Sequence, residues 1–147
     1  MKKILIAALL ILLPSLAYAD ETDHYLFAPI GSYHMDRDAG YCETNPGLAY
    51  QKFRTDNQFY TVGVFKNSPC KVSVFAFYGW ESNKKRRFLG IPYGYGAMVG
   101  PATGYSSPIV GATYLRVGDR DARISARIMV LPHPTKGIFG LGFSYKL

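Results

Sequence analysis

The sequence predicts an all-β protein, an eight-stranded antiparallel β-barrel of the type found in bacterial outer membranes. Three observations predict this class: an export signal, short segments in which apolar residues alternate with small or polar ones, and a last alternating segment that runs to Leu147. Hydrophobic residues make up 48% of the chain and aromatic residues 15%. Alternating strands can hide this much apolar surface against lipid.

The N-terminal segment has the composition of a secretory signal peptide. Two lysines precede an apolar run from Ile4 to Leu13, and the small-residue sequence Ala17-Tyr18-Ala19 follows it. The run is shorter than the roughly 20 residues that a helix needs to cross a bilayer. We therefore expect residues 1–19 to be removed and residues 20–147 to form a single transmembrane β-barrel domain.

The last segment, residues 137–147, has the clearest two-residue period. One face carries bulky residues and the other carries glycine, serine and lysine; the bulky ones are Phe139, Leu141, Phe143, Tyr145 and Leu147. A soluble β-sandwich would bury the bulky face, whereas a membrane barrel would turn it toward lipid. The export signal and the small second face favour the barrel.

Seven further segments have the alternation or the flanking turn residues of short strands. In chain order they cover about residues 26–35, 47–54, 59–65, 71–81, 88–99, 108–117 and 122–130. With the last segment the count is eight, the smallest even number that these barrels use. If both chain ends are periplasmic, the periplasmic turns are 55–57, 82–87 and 118–121. The external loops are then 36–45, 66–70, 100–107 and 131–136.

Arginines on the segment 122–130 predict a wet lumen. Arg123 and Arg127 share one face, and charges on a lipid-facing surface are costly. These side chains and Arg116 could bind a phosphate, but salt bridges with Glu81 or Asp119 are the simpler interpretation.

Charge and cysteine content restrict the partners. The formal net charge is +7, and for an exported protein this indicates the phosphates of lipids or lipopolysaccharide rather than nucleic acid. The run 84–87 fits a solvated turn beside anionic headgroups. Cys42 and Cys70 fall in external loops on one side, either as a structural disulfide or as two thiols. The motifs of metal- or nucleotide-dependent enzymes are absent from the sequence, so we expect no cofactor and no metal.

One pair of residues could carry chemistry. His34 ends the first predicted strand and Ser68 follows the third, so in a barrel the two can meet at the external rim. A His beside a Ser hydroxyl is the minimum for base-assisted acyl transfer. Both residue types also serve as hydrogen-bonding groups at strand ends, so the residues alone leave a structural role open.

Several short motifs lie in a particular order between His34 and Ser82. They are Ser32-Tyr33-His34, Tyr41 with Glu43, Asn45-Pro46-Gly47-Leu48, Phe65-Lys66-Asn67-Ser68 and Tyr78-Gly79-Trp80-Glu81-Ser82. This order resembles the lipid A palmitoyltransferases of the outer membrane, the PagP family. Downstream of Ser82 only the strand rhythm is similar.

The resemblance implies an enzyme that moves a palmitoyl chain from a phospholipid to lipid A and measures the chain inside the barrel. It makes His34 the general base, Ser68 a nucleophile or oxyanion-stabilising donor, and Asn67 a positioning residue. The family has Asp where this chain has Asn67, and an amphipathic helix where it has the short lead 20–25. Asn supplies no negative charge to hold an imidazolium; Glu43 is a candidate for that role.

We therefore expect a monomeric acyltransferase embedded in the outer membrane, with phospholipid and lipid A as partners and no nucleic acid. Gly94, Gly96, Gly140 and Gly142 are expected to leave room in the lumen for an acyl chain. The main alternative is a non-catalytic small barrel, adhesin-like or surface-shielding, whose external loops contact other molecules. A soluble periplasmic sandwich that binds a small ligand is a third class.

Overall fold

The computed structural model describes residues 23–36, 38, 40–54, 57–82, 84–132 and 137–147. The expected signal peptide lies outside the described residues, as do residues 55–56 of the first predicted turn and residues 133–136 of the last predicted loop. Within the described residues, no helix is long and apolar enough to cross a membrane.

Nine β-strands make up most of the described chain. They are β1 His24–His34, β2 Gly47–Phe53, β3 Gln58–Lys66, β4 Val72–Glu81, β5 Arg86–Phe88, β6 Ile91–Pro101, β7 Ile109–Val117, β8 Ile124–Leu131 and β9 Ile138–Lys146. Seven of the eight predicted segments agree with a strand to within two residues at each end. The alternation of apolar and small residues was therefore sufficient to predict most of the strands that form the barrel wall.

Eight of these strands form a closed antiparallel ring. The order around the ring is β4, β3, β2, β1, β9, β8, β7 and β6, and β6 pairs with β4 to close it. Closure satisfies the backbone hydrogen bonds that an open sheet edge would leave unpaired. The predicted eight-stranded antiparallel barrel is confirmed.

The predicted strand 88–99 requires a correction, because a tight hairpin interrupts it. The short strand β5 pairs with the first residues of β6, and the turn between them is Leu89-Gly90. Leu89 has φ 49° and Gly90 has φ 82°, the positive values that two-residue hairpins of type I′ need at both positions. Leu is an unusual residue for such a turn, so the hairpin was hard to predict from the residues alone. The predicted turn 82–87 accordingly contains the first two residues of β5.

The bulky faces of the strands point outward. In β9 the side chains of Phe139, Leu141, Phe143 and Tyr145 are each 41–43% exposed, while Gly140, Gly142 and Ser144 between them are buried. The outer face of β4 is likewise apolar, with Val72, Val74, Tyr78 and Trp80 exposed. An apolar exterior is the pattern of a barrel that meets lipid, as the sequence predicted. The interior is more apolar than expected, because aromatic side chains such as Phe27, Phe59 and Phe75 are buried in it beside the polar ones.

A buried ionic network fills the half of the lumen near the start of β1. Glu81 binds Arg116 at 2.9 Å and Arg127 at 3.4 Å, and it accepts a hydrogen bond from the Tyr114 hydroxyl at 2.8 Å. Arg127 also donates to Gln51 at 2.5 Å. The predicted salt bridges to Glu81 are confirmed for these two arginines, whereas Arg123 precedes β8 and is exposed.

Candidate functional site

A β-bulge in β1 turns the His34 side chain into the lumen. Consecutive residues of β9 pair with Pro29 and Gly31, so Ile30 has no partner on that strand. Before the bulge the odd-numbered side chains are buried; after it His34 is buried and Tyr33 is 52% exposed. Without the extra residue, two-residue alternation would place His34 on the outer surface. Bulges often re-aim side chains next to active sites.

The imidazole of His34 meets the hydroxyl of Ser68. His34 Nε2 lies 2.7 Å from Ser68 Oγ, and the two residues are only 2% and 8% exposed. The Tyr41 ring packs on the imidazole, with 4.7 Å between ring centroids. The structure thus brings together the two predicted residues, one at the end of β1 and the other in the loop after β3, at the rim opposite the ionic network.

Ser68 is held by backbone bonds and by a disulfide. Cys42 and Cys70 are joined, with their Cα atoms 5.4 Å apart. The Cys42 amide donates to the Ser68 carbonyl at 2.8 Å, and the Cys70 amide donates to the Asn67 carbonyl at 2.9 Å. Two separate loops therefore fix the position of the Ser68 hydroxyl, and one of them also carries Tyr41.

Asn67 organises the Ser68 loop through hydrogen bonds to residues other than His34. The Asn67 side chain is fully buried, and its Oδ1 accepts from the Lys71 amide at 2.8 Å. Its Nδ2 donates to Ser73 Oγ at 2.8 Å and to the Gly104 carbonyl at 3.2 Å. An Asp carboxylate could not make the last bond, because both atoms would be acceptors. Asn therefore fits this position as an amide.

A second buried asparagine, Asn45, ties β1 to the loops, a role that the sequence analysis did not assign to it. Asn45 accepts from Ser32 Oγ at 2.5 Å and donates to the carbonyls of Cys42 and Lys66, at 3.2 and 3.0 Å. In the sequence, Asn45-Pro46-Gly47-Leu48 served only as one of the motifs of the family resemblance. Glu43, the candidate for a missing negative charge, has an exposed side chain, and its carbonyl accepts from the Ser32 amide at 2.8 Å.

The hydrogen-bonding environment of the second ring nitrogen of His34 differs from that of the histidine in a catalytic triad. His34 Nδ1 is buried, and no hydrogen-bond partner for it lies among the described residues. In a triad, an acidic residue accepts a hydrogen bond from this nitrogen and orients the ring. Here Tyr41 and the buried position restrain the ring, so the described site is a His–Ser dyad.

An apolar cavity of about 80 Å³ lies in the lumen. Phe65 contributes to its wall and stacks on Tyr105, with 6.4 Å between ring centroids. Its other apolar lining residues include Phe27, Pro29, Phe75, Phe77, Met98, Val110, Met129 and Leu131. Burial raises the pKa of the Tyr105 phenol to about 12, so this loop residue is neutral at physiological pH. The cavity offers apolar contacts in the lumen.

The four lumen glycines do not leave free space, which corrects an expectation from the sequence. A Cβ added at Gly142 would lie 2.6 Å from the Phe27 ring, and one at Gly96 would lie 2.6 Å from the Tyr114 ring. Gly94 and Gly140 are covered in the same way by Arg116 and Met129. Large side chains from neighbouring strands lie over the backbone at these positions, so the glycines do not provide open space for an acyl chain.

Comparison with protein-family models and with curated proteins finds no match. Among solved structures, the chain is similar to a designed transmembrane β-barrel, with a TM-score of 0.57 and 10% sequence identity. The similarity covers 85% of this chain and 95% of that one. At this identity the likeness concerns the fold alone, a transmembrane-type β-barrel.

Proposed function

We propose that this protein is an outer-membrane acyltransferase that moves a fatty acyl chain from a phospholipid to lipid A. The observation that carries the proposal is the 2.7 Å contact between His34 Nε2 and Ser68 Oγ. Both groups are buried at one end of a barrel whose lumen contains an apolar cavity. The apolar outer surface supports a location in a membrane.

In the proposed reaction, His34 moves a proton twice. His34 Nε2 takes the Ser68 hydroxyl proton as Oγ attacks the acyl carbonyl, and returns it to the glycerol oxygen as the ester bond breaks. A lysophospholipid leaves and an acyl-Ser68 ester remains. A lipid A hydroxyl then attacks this ester, giving its proton through His34 back to Ser68 Oγ. Asn67 acts only by positioning the Ser68 loop.

The apolar cavity receives the acyl chain in this proposal. Its volume of about 80 Å³ is below the roughly 300 Å³ at which common ligand pockets begin. A long acyl chain therefore requires side chains to move, and the flexible thioethers of Met98 and Met129 can rotate to admit it. The Glu81 network closes the lumen on the far side, where burying the ionic groups against a chain would be costly.

Mass spectrometry of lipid A from expressing cells tests the reaction. Wild-type protein should add one acyl chain, and His34→Ala and Ser68→Ala should each abolish the addition. His24→Gln and Ser107→Ala, at positions outside the dyad, are the matched controls and should retain it. Fractionation and heat-modifiable gel mobility check that each variant is folded in the outer membrane. Unmodified lipid A with a correctly inserted wild-type barrel contradicts the proposal.

A trapped intermediate separates the two roles open to Ser68. If Ser68 is the nucleophile, intact-protein mass spectrometry after mixing with phospholipid detects an acyl group on the wild-type chain, and hydroxylamine removes it. If Ser68 only donates a hydrogen bond, acyl transfer occurs without this adduct.

Two observations favour a second candidate, a non-catalytic small barrel with adhesin-like or shielding loops. No hydrogen-bond partner of His34 Nδ1 lies in the described part of the chain, and the cavity is small. In that case the disulfide and the two asparagines serve only to stiffen the external loops. The lipid A profile decides between the candidates.

A further inference from the structure

The end of the barrel opposite His34 contains a second and larger cavity, the basic cleft. Its volume is about 270 Å³, and its walls come from the β4–β5 connection, β5, the end of β7 and the β7–β8 turn. Six basic side chains and three acidic ones line it. Among them are Lys84, Lys85, Arg86, Arg87, Arg120, Asp23 and Asp121. The eleven residues of β1 place this end about 30 Å from the His–Ser dyad.

Two of the three acidic groups of the basic cleft are already paired with cations, and the third, Asp119, accepts a hydrogen bond from the Asp121 amide at 3.2 Å. Asp23 lies 2.8 Å from Lys146 Nζ and 3.6 Å from Arg120. Asp121 lies 3.4 Å from the same lysine. By contrast, none of the side chains in the run 84–87 forms an ion pair with a carboxylate of a described residue. The cleft therefore has an excess of positive charge that its own carboxylates do not neutralise.

Two of these cations, Arg86 and Arg87, lie on an ordered hairpin, and Lys84 and Lys85 directly precede it. Arg86 and Arg87 belong to β5 and pair with Tyr93 and Pro92 of β6. The Arg87 guanidinium donates to the Gly90 carbonyl at 3.0 Å, and the Arg86 guanidinium lies 5.2 Å from the centre of the Tyr95 ring. Because the side chains are partly fixed already, binding a ligand costs less conformational entropy.

The basic cleft also borders the apolar exterior. The Tyr95 ring, which Arg86 covers, packs against Trp80 with 5.8 Å between centroids, and both rings are exposed on the outer surface. Aromatic side chains of this kind mark the level of lipid headgroups in membrane barrels. A ligand in the cleft can therefore be either part of a lipid or a solute of the adjoining compartment.

We propose that the basic cleft binds a phosphate group, as a monoester or a diester. Lysine ammonium groups supply compact positive charge, and guanidinium groups supply paired donors that match phosphate oxygens. Lys84, Lys85 and Arg87 carry the binding. This site is separate from the dyad and does not depend on acyl transfer.

The lipid source is tested by native mass spectrometry of the full barrel released from vesicles of phosphatidylcholine with or without phosphatidylglycerol. We expect one retained phosphatidylglycerol per barrel and no retained phosphatidylcholine, because the choline ammonium cancels the charge of that lipid's phosphodiester. Lys84→Gln/Lys85→Gln/Arg87→Gln should lower retention by roughly two orders of magnitude, given the usual contribution of each cation near a membrane. Lys66→Gln/Lys71→Gln, which removes two cations at the other end, should leave it unchanged.

The soluble source is tested by titrating inorganic phosphate and glycerol phosphate against the barrel in maltoside micelles, with amide NMR of Arg87 and Tyr93 as the readout. If the amide signals shift saturably in the wild type but not in the triple variant, the ligand is a soluble phosphate. If only phosphatidylglycerol is retained, the ligand is a lipid headgroup. Lys84→Glu/Lys85→Glu, confined to the exposed connection, replaces the triple variant if the latter does not fold. Absence of binding to all three probes, or equal binding by the variants, overturns the proposal.

Discussion

Glu81 and Arg116 form an ion pair of 2.9 Å inside the lumen, with side chains 0% and 6% exposed. Arg127 shares the same carboxylate. Removing Glu81 leaves two buried arginines without their counter-ion, and breaking a buried pair in this way costs about 3–5 kcal/mol. We expect Glu81→Ala to lower the free energy of unfolding by that amount, measured by urea titration of the barrel in lipid vesicles. Asp121→Asn, which affects an exposed pair with Lys146, should cost less than about 1 kcal/mol.

The β-bulge predicts which side chain at the end of β1 faces lipid. With Tyr33→Cys and His34→Cys each labelled by bimane, nitroxide-bearing lipids should quench the fluorescence at position 33 but not at position 34. Deleting Ile30 removes the extra residue, so position 34 and not position 33 should then be quenched. In the chain with His34 intact, the same deletion should abolish the proposed acyl transfer. An unchanged quenching pattern in the deletion variant argues against the bulge as the cause.

The disulfide predicts a loss of stability and, if the proposed function holds, a linked loss of acyl transfer when it is removed. Cys42 and Cys70 are 28 residues apart, a loop for which the chain-entropy model gives about 3.5 kcal/mol. Cys42→Ser/Cys70→Ser should lower the free energy of unfolding by that order and should slow acyl transfer, because Ser68 loses its tether. The folded fraction, measured by gel mobility, separates the effect on activity from the effect on folding. Full activity of the folded double variant would show that the backbone bonds alone hold Ser68.

Asn67→Asp tests whether the asparagine is structural. The resembled family has Asp at this position, but here the amide donates to Ser73 and to Gly104. Asp would lose the bond to the Gly104 carbonyl and bury a charge, at a cost of about 1–3 kcal/mol. We expect lower stability in urea and lower lipid A acylation, not higher. An increase in acylation would mean that the carboxylate reaches His34.

Gly142→Ala tests the close packing of the lumen. The added methyl group would lie 2.6 Å from the Phe27 ring and 2.9 Å from the Ala28 carbonyl, so overpacking should cost about 1–3 kcal/mol. Phe27→Leu in the same chain should recover part of this loss. The control is Gly111→Ala, where the nearest atom is 3.6 Å away and the unfolding free energy should hardly change. Equal costs at the two glycines would contradict the packing argument.

The two-residue period predicted the barrel wall because lipid on one side and a narrow lumen on the other constrain alternate residues. It failed where backbone geometry departs from regular strands, at Ile30 and at Leu89-Gly90. His34 and Ser68 could be predicted to meet from strand ends alone. The role of Asn67 could not, because one of its partners, Gly104, is 37 residues away. The filled lumen could not be predicted either, because the position of a glycine in the sequence does not show which side chain of a neighbouring strand lies over it.

The pairing of β1 with β9 joins the first and the last strand of the barrel over nine residue pairs. The first strand therefore obtains a partner on that side only when the last strand is present, and until then its edge is open to other chains. Contacts between such distant segments make folding slow. The complete chain must stay protected from aggregation until both ends are available, so truncation at either end should prevent closure of the whole ring.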